Sequence, residues 1–312
     1  MAGHRTTGYI LASVAACTYG MNPLFTLPLY EAGMSAGSVL FFRYLLAIPI
    51  LGAMIAARGR SFRVSPRNVL SLFVLGLLMA FSSLALFLSY NYMDAGIAST
   101  MLFVYPVMVA VIMALVFRER LTADSILCII LALAGILLLY NGGAEATLSF
   151  IGTMFVMGSA LSYAIYIVAV NRTGLNDTPT LVVTFYVLIF GLMLFIGYVA
   201  FAGCLQVPPS DRWWLWGCLV ALAVFPTAVS FICTTRAIQY IGSTPTAILG
   251  ALEPVTAVFF GILVFGEVLT PRDVAGLILI IVAVSGVVAS PAIHPRLNRI
   301  RRLFPSLRKR KK

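Results

Sequence analysis

The chain has 312 residues, of which 61% are hydrophobic and 10% are charged, and its mean hydropathy is +1.03. Ordinary soluble domains carry about 25% charged residues, so this composition excludes a soluble globular protein and indicates one that lies in a membrane. The net charge of +11 has to be interpreted from the positions of the basic residues, because clustered and scattered charges imply different partners.

Ten apolar stretches follow one another along the chain, each close to the roughly 20 residues that a membrane-spanning helix needs. We number them as spans 1 to 10, and they cover residues 9–29, 36–57, 68–91, 96–117, 124–141, 150–170, 179–202, 213–235, 243–265 and 273–290. The connections between them are short. We therefore predict an all-α membrane domain followed by a basic tail at residues 291–312.

The basic residues of the connections lie mostly on one side of the membrane. If the N-terminus is cytoplasmic, only Arg212 and Arg272 lie outside, and the inside holds Arg5, Arg58, Arg60, Arg63, Arg67, Arg118, Arg120 and Arg172. This positive-inside bias predicts that both termini are cytoplasmic. The tail adds Arg296, Arg299, Arg301, Arg302, Arg308, Lys309, Arg310, Lys311 and Lys312. We interpret it as a topology signal that could also hold anionic lipid headgroups, and nucleic acid is not expected as a partner.

The two halves of the sequence resemble each other. Glu119 matches Glu267 and Pro106 matches Pro254 at an offset of 148 residues, while Gly8 matches Gly152 and Tyr19 matches Tyr163 at an offset of 144. The repeats are therefore predicted at residues 1–144 and 145–290. Because each repeat contains five spans, the second enters the membrane from the opposite side, and inverted repeats of this kind can exchange conformations and thereby alternate access to a central site.

Glu253 is the clearest candidate for a functional residue. It is an ionisable group in the middle of span 9, which costs about 2.5–3.5 kcal/mol on insertion scales and is rarely retained without a role. The adjacent Pro254, together with Gly250, is expected to interrupt the helix and expose backbone carbonyls. Tyr105 and Pro106 hold the equivalent place in span 4. We interpret Glu253 as a group that binds a substrate amine or carries a coupled proton; the alternative is a structural carboxyl that anchors helices by pairing with Arg43 or a hydroxyl.

Further candidates lie in other spans. Arg43, in span 2, could bind a substrate carboxylate or phosphate, form a structural salt bridge, or extend to the outer surface. Tyr19 and Tyr163 are candidates for the pocket because they occupy equivalent positions in the two halves. Glu119 and Glu267 stand at the ends of spans, where we expect them to stabilise helix ends.

These features resemble the EamA family of the drug/metabolite transporter superfamily. The resemblance rests on the Glu-x-Leu-Thr motif that ends spans 4 and 9, on Glu253-Pro254, on Arg43 and on the five-plus-five arrangement, and it covers about residues 8–290. It implies two EamA-like repeats of five helices and export or exchange of small metabolites. Span 4 departs from the symmetry, because Tyr105 stands where span 9 has Glu253.

We therefore predict a secondary transporter in a bacterial inner membrane that exports or exchanges small metabolites, such as amino acids or amines, by alternating access. The chain has no phosphate-binding G-x-x-x-x-G-K-[ST] loop, which excludes ATP hydrolysis by this chain alone. An enzyme is disfavoured because both histidines, His4 and His294, lie outside the spans, so no catalytic residue, metal or cofactor is predicted. An exporter of drugs or aromatic compounds, or less favourably a channel, remains the alternative. Substrate identity, direction, coupling ion and oligomeric state stay open.

Overall fold

The computed structural model describes residues 2–117, 149–172, 178–203, 205–209, 211–241, 249–250, 252–272, 274–283 and 285–286, with a few positions between 126 and 138. This part of the chain is helical and contains no β-strand. Its helices are α1 (Ala2–Gly20), α2 (Asn22–Glu31), α3 (Ala36–Ala57), α4 (Pro66–Ser89), α5 (Ala95–Leu102), α6 (Tyr105–Phe117), α7 (Phe150–Arg172), α8 (Thr180–Ala202), α9 (Trp214–Leu222), α10 (Ser230–Ile241), α11 (Leu252–Phe265) and α12 (Val274–Ala283). A π-helical segment, Ala223–Val229, joins α9 to α10.

Seven helical stretches of the described chain are long and apolar enough to cross a membrane. They coincide with spans 1–4 and 6–8, and the shorter helices α11 and α12 coincide with parts of spans 9 and 10. Span 5 falls largely outside the described residues, as do Glu119 and the tail at 291–312. The prediction of an all-helical membrane protein is confirmed, whereas ten spans and cytoplasmic termini stay predictions.

The outer surface of the bundle is apolar, as a membrane-embedded protein requires. Phe201 is 98% exposed, Leu115 77% and Leu70 71%. Lipid tails can cover such side chains, whereas contiguous apolar patches of this extent are rare on soluble monomers. Trp213 and Trp214 follow Arg212 where α9 begins, in keeping with the aromatic residues that mark membrane interfaces.

Several spans are broken in their middle. Span 1 breaks at Met21, between α1 and α2, and span 4 breaks at Phe103 and Val104, directly before Tyr105. Span 8 widens into the π-helical segment, which contains Pro226. Proline removes a helical donor and clashes with the preceding turn, and π-turns frequently mark functional sites. The interruptions in spans 1 and 8 were not predicted from the sequence, although Pro23 and Pro226 stand beside them.

Span 9 is also irregular near its acidic residue. Gly250 lies in a turn, and its carbonyl accepts a hydrogen bond of 2.9 Å from the Glu253 amide. Helix α11 begins at Leu252, so Glu253 lies in the first helical turn and Pro254 is buried directly after it. The interruption that the sequence predicts around Gly250 and Pro254 therefore lies next to the beginning of α11.

The packing of the helices repeats when the two halves are exchanged. Helix α4 packs on α7 as α1 packs on α10, which pairs spans 3 and 6 in the same way as spans 8 and 1. Helix α1 packs on α11, and α7 packs on α5 and α6, which is the equivalent contact. The contacts between α3 and α8 and between α5 and α11 join equivalent spans to each other. Each half is thus packed against the other rather than folded by itself.

Individual atoms follow the same symmetry. The Ser82 hydroxyl donates a hydrogen bond of 3.0 Å to the Ser159 carbonyl, and the Ser230 hydroxyl donates one of 3.0 Å to the Ala15 carbonyl. Ser230 follows Ser82 by 148 residues and Ser159 follows Ala15 by 144, the offsets that relate the repeats. A buried hydroxyl needs a partner. In both cases the partner is a backbone carbonyl at the equivalent position of the opposite repeat.

Two glycines that match in sequence also match in their surroundings. Gly8 lies against Tyr240 and Ile241, and Gly152 lies against Tyr92 and Met93. The contacted pairs are again 148 residues apart. The absence of a Cβ at each glycine permits close approach of the helices, which is the usual basis of packing between membrane helices.

Candidate functional site

A cavity of about 10 Å³ lies inside the bundle, where spans 1, 2, 3, 4 and 6 meet. This volume holds roughly one water-sized group. Its walls combine polar and apolar side chains, namely Tyr19, Asn22, Arg43, Met79, Ser82, Ser83, Leu86, Phe87, Leu102 and Tyr163. Three of the residues predicted for the site therefore line this cavity, namely Arg43, Tyr19 and Tyr163.

Arg43 is the charged residue of the cavity wall. It lies on α3 with 6% of its surface exposed, so it does not extend to the outer surface. Its Nε donates a hydrogen bond of 3.1 Å to the Thr227 hydroxyl in the π-helical segment, and its guanidinium carbon lies 5.6 Å from the centre of the Phe87 ring. Among the described residues no carboxylate lies within 4.0 Å of it. The guanidinium is thus a buried cation with unused hydrogen-bonding capacity.

Glu253 lies close to the same cavity. Its side chain is half-buried in the first turn of α11, and it interacts electrostatically with the hydroxyls of Tyr19, Tyr105 and Tyr163. The Tyr19 hydroxyl interacts electrostatically with Arg43 as well. No basic residue of the described chain lies within 4.0 Å of Glu253, so this conformation has no direct ion pair between Glu253 and Arg43.

Aromatic contacts join the broken span 4 to span 6. The rings of Tyr105 and Tyr163 meet edge to face with centroids 4.7 Å apart, and Tyr163 stacks on Tyr166 with centroids 5.9 Å apart. Tyr105 begins α6, directly after the break in span 4. Its neighbour Pro106 is the second residue of the same helix. The structure therefore brings together all five residues that the sequence nominated for substrate or proton, which are Glu253, Arg43, Tyr105, Tyr19 and Tyr163.

The breaks in spans 1 and 9 touch each other at Gly20. A Cβ on this residue would lie 2.5 Å from the Glu253 carbonyl oxygen and 2.7 Å from the Thr256 Cβ. The first of these atoms belongs to the backbone and cannot move aside as a flexible side chain would. The glycine therefore allows the end of α1 to reach the acidic turn of α11.

We predict that Gly20→Ala lowers the thermal stability of the purified protein by several degrees, because the added methyl group forces α1 away from α11. Gly158→Ala is the matched control, since nothing lies within 4 Å of the position that its Cβ would take. Alanine is the better helix former by about 1 kcal/mol, so the control is expected to be neutral or slightly stabilising. Equal melting temperatures for the two variants would contradict the contact.

Several residues of the site were not nominated from the sequence. Asn22 lines the cavity, and Thr227 joins Arg43 to span 8. The Thr227 hydroxyl also donates a hydrogen bond of 3.0 Å to the Leu222 carbonyl, one turn earlier across the π-helical segment. Each of these residues stands beside a proline, and that adjacency is the signal that would have found them.

Glu267 stabilises a helix of the opposite repeat. Its Oε1 accepts a hydrogen bond of 3.0 Å from the backbone N–H of Ala95, the first residue of α5. The carboxylate is also seated against Gly96 and Gly261, which have no side chain to exclude it. An acidic group at a helix N-terminus is favourable because the first N–H groups have no helical partner. This contact favours the structural interpretation of Glu267.

Glu267 lies in the connection that follows α11, outside the helices, and the pKa of its carboxyl is shifted. Burial, together with repulsion from Asp94, raises the pKa of its carboxyl from 4.5 to about 7. Since the folded protein then holds the proton more tightly than the unfolded chain, this group contributes stability below about pH 4.5 that is lost as the pH rises through 7.

We predict that Glu267→Gln flattens the pH dependence of stability. Glutamine cannot ionise, so the melting temperature of the variant relative to wild type is expected to rise by a few degrees between pH 5 and pH 8.5. The measurement is thermal unfolding in detergent across this range, with the exposed Glu31→Gln as the control. Parallel curves for Glu267→Gln and wild type would show that the carboxyl does not titrate in this interval.

An apolar helical bundle with a charged cavity at interrupted spans is typical of membrane transporters. The chain belongs to the EamA-like transporter family, and the family model matches it twice, over residues 6–141 and 150–289. The resemblance seen in the sequence is therefore confirmed.

Individual relatives support this assignment. An uncharacterized transporter of Archaeoglobus fulgidus is 29% identical over 245 residues, which cover 78% of this chain and 82% of the relative. The threonine/homoserine exporter RhtA of Salmonella typhimurium is 25% identical over 242 residues, covering 76% and 77% of the two chains. A solved crystal structure with 17% identity superposes on 94% of this chain and 99% of its own with a TM-score of 0.67. At 17% identity, this similarity shows that the two chains share a fold and nothing more.

Proposed function

We propose that the protein is a secondary transporter that exports or exchanges small amino acids or amines. The observation that carries the proposal is the presence of two separate charged residues beside Tyr19. Arg43 is a buried cation of the cavity wall with no described carboxylate within 4.0 Å, and Glu253 is an acidic residue that does not line the cavity itself. A zwitterionic amino acid presents the complementary groups. Arg43 would bind the carboxylate through its planar donors, and Glu253 would receive the ammonium.

The threonine/homoserine exporter that resembles this chain supports a substrate of that class. Amino acids of this size have one carboxylate and one ammonium, which correspond to one arginine and one glutamate. Nucleotide sugars would need more cationic partners for their phosphates than the cavity wall provides. The substrate is thus expected to be a small zwitterion or a small amine.

A second candidate is export of aromatic compounds. The stacked rings of Tyr163 and Tyr166, with Tyr105 at their edge, form an aromatic cluster beside the acidic residue. Such clusters attract planar cations through their ring faces. An aromatic amine would use Glu253 and the tyrosines, whereas it would leave Arg43 without a carboxylate.

The transport cycle follows from the repeat. We infer ten spans in two inverted repeats, at residues 1–144 and 145–290, with both termini and the basic tail at 291–312 in the cytoplasm of a bacterial cell and anionic inner-membrane lipids near the tail. The symmetric packing of the described helices supports exchange of roles between the halves, which is how inverted repeats produce alternating access. A proton or the substrate's own gradient would supply the energy.

Counterflow in proteoliposomes tests the proposal. Vesicles loaded with unlabelled threonine are expected to accumulate labelled threonine transiently above its external concentration, because a carrier exchanges one molecule for another. A channel would only equilibrate the label. Uptake of an aromatic amine without uptake of any amino acid would favour the second candidate, and exchange of neither class would contradict both.

A further inference from the structure

Asn22 is a buried polar residue whose hydrogen bonding is incomplete. It is the first residue of α2, directly after the break in span 1, and only 3% of its surface is exposed. Its Nδ2 donates a hydrogen bond of 2.9 Å to the Tyr19 carbonyl, whereas its Oδ1 is buried without a partner. Asn22 also lines the cavity beside Arg43, so this residue belongs to the candidate substrate site.

The orientation of the Asn22 amide is determined by its surroundings. If the amide were turned over, its oxygen would face the Tyr19 carbonyl, and two acceptors would meet at hydrogen-bonding distance. The observed orientation avoids this repulsion and leaves the oxygen without a hydrogen-bond partner. Asn22 therefore presents a pure acceptor. An unsatisfied buried acceptor lowers the stability of the empty site, so a ligand donor that reaches it gains affinity.

The charge of the neighbourhood decides which donor fits. Arg43 forms part of the same cavity wall, and the cavity is only about 10 Å³ in volume, so a cationic donor beside Asn22 would be repelled by the guanidinium. An ammonium is better placed at Glu253. The donor at Asn22 is then a neutral one, such as a hydroxyl group.

We propose that Asn22 determines substrate specificity by accepting a hydrogen bond from a neutral hydroxyl on the substrate. The inference rests on the proposed function and refines it, because it assigns the transported amino acids to those with a hydroxylated side chain. Arg43 holds the carboxylate, Glu253 the ammonium and Asn22 the hydroxyl. A substrate that carries a methyl group instead leaves the Asn22 oxygen unsatisfied and is discriminated against.

Threonine and valine provide a direct test, because they differ by one hydroxyl in place of one methyl group. In counterflow with the wild-type protein, threonine is expected to show at least a tenfold higher kcat/KM than valine. O-Methylthreonine, which keeps the oxygen but has no hydroxyl hydrogen, is expected to behave like valine. These measurements need no variant, so they stand even where a substitution impairs folding.

Asn22→Leu is expected to reduce the ratio of threonine to valine transport to near one, because leucine removes the acceptor while keeping a branch at Cγ. Thr26→Val is the matched control: Thr26 lies one turn further along α2, is fully buried with an unpartnered hydroxyl oxygen, and does not line the cavity. Its ratio is expected to stay at the wild-type value. A role of Asn22 confined to the Tyr19 carbonyl would lower transport of both amino acids equally.

The outcomes distinguish a failure of the role proposed for Asn22 from a failure of the proposed substrate class. Equal transport of threonine and valine by the wild-type protein overturns the role of Asn22 and leaves amino acid transport intact. A ratio that survives Asn22→Leu also overturns it, since the discrimination then arises elsewhere. Failure to exchange either amino acid overturns both the specificity and the proposed substrate class.

Discussion

Replacing Arg43 with methionine is expected to lower amino acid transport at least tenfold while leaving the melting temperature unchanged or raising it. The two effects have one cause. Arg43 is a buried cation whose hydrogen bond to Thr227 uses one of its five donors, and no carboxylate of the described chain lies within 4.0 Å of it. Removing it deletes a charge-assisted contact to the substrate, worth about 1.5–3 kcal/mol, which corresponds to a tenfold or larger loss of affinity.

The stability measurement is the decisive one for Arg43. If the arginine is retained to hold Thr227 and the π-helical segment, methionine should destabilise the protein together with any loss of transport. If it is retained for the substrate, an apolar side chain of similar length removes a buried, uncompensated charge and stabilises the empty carrier. Arg236→Met is the control, since Arg236 lies exposed on α10 and is expected to affect neither property.

Arg43→Lys sharpens the same test. Lysine keeps the positive charge but loses the planar pair of donors that binds a carboxylate at two points. We expect transport between that of wild type and that of Arg43→Met, with the loss appearing in KM. Full activity with lysine would show that charge alone is needed. Thermal shift on addition of threonine gives an independent readout, because a ligand that binds the folded state raises its melting temperature.

The sequence could nominate the charged residues of the site because the membrane makes them rare. Glu253 and Arg43 stand out in spans where almost every other residue is apolar, and the cost of inserting them implies a role. The equivalent positions of Tyr19 and Tyr163 added a second, independent signal. Tyr19 and Tyr163 line the same cavity because the two repeats pack symmetrically, and a repeated sequence already implies such symmetric packing.

Neutral polar residues could not be nominated in the same way. Asparagine and threonine are uncharged, so their presence in a span does not by itself imply a role, and what distinguishes Asn22 is an oxygen left without a partner, which is a property of the packed structure. The role of Thr227 likewise rests on a contact in the folded structure, because its hydroxyl accepts a hydrogen bond from Arg43, 184 positions away in sequence. The contact between Glu267 and Ala95 joins opposite repeats, so its sequence motif alone indicated a helix end without naming the helix.

Glu253→Gln is expected to reduce transport at least tenfold with little change in stability. Glutamine has nearly the same shape and keeps an oxygen in the first turn of α11, where loss of the negative charge costs only about 0.3–1 kcal/mol of helix stabilisation. An ammonium bound by the carboxylate loses a charge-assisted hydrogen bond, which is worth about 1.5–3 kcal/mol and hence tenfold or more in affinity. Glu31→Gln, at the exposed end of α2, controls for the loss of a carboxylate elsewhere.

Two assays on Glu253→Gln distinguish binding from proton coupling. Counterflow requires only that the loaded carrier change its orientation, whereas accumulation driven by a pH gradient also requires a group that carries the proton. If Glu253 binds the substrate amine, both assays fail and the affinity for threonine falls. If it carries the proton, exchange persists at near wild-type rates while accumulation stops and its pH dependence disappears. Unchanged activity in both assays would make Glu253 a structural residue, and the asymmetry between Tyr105 in span 4 and Glu253 in span 9 would then have no part in transport.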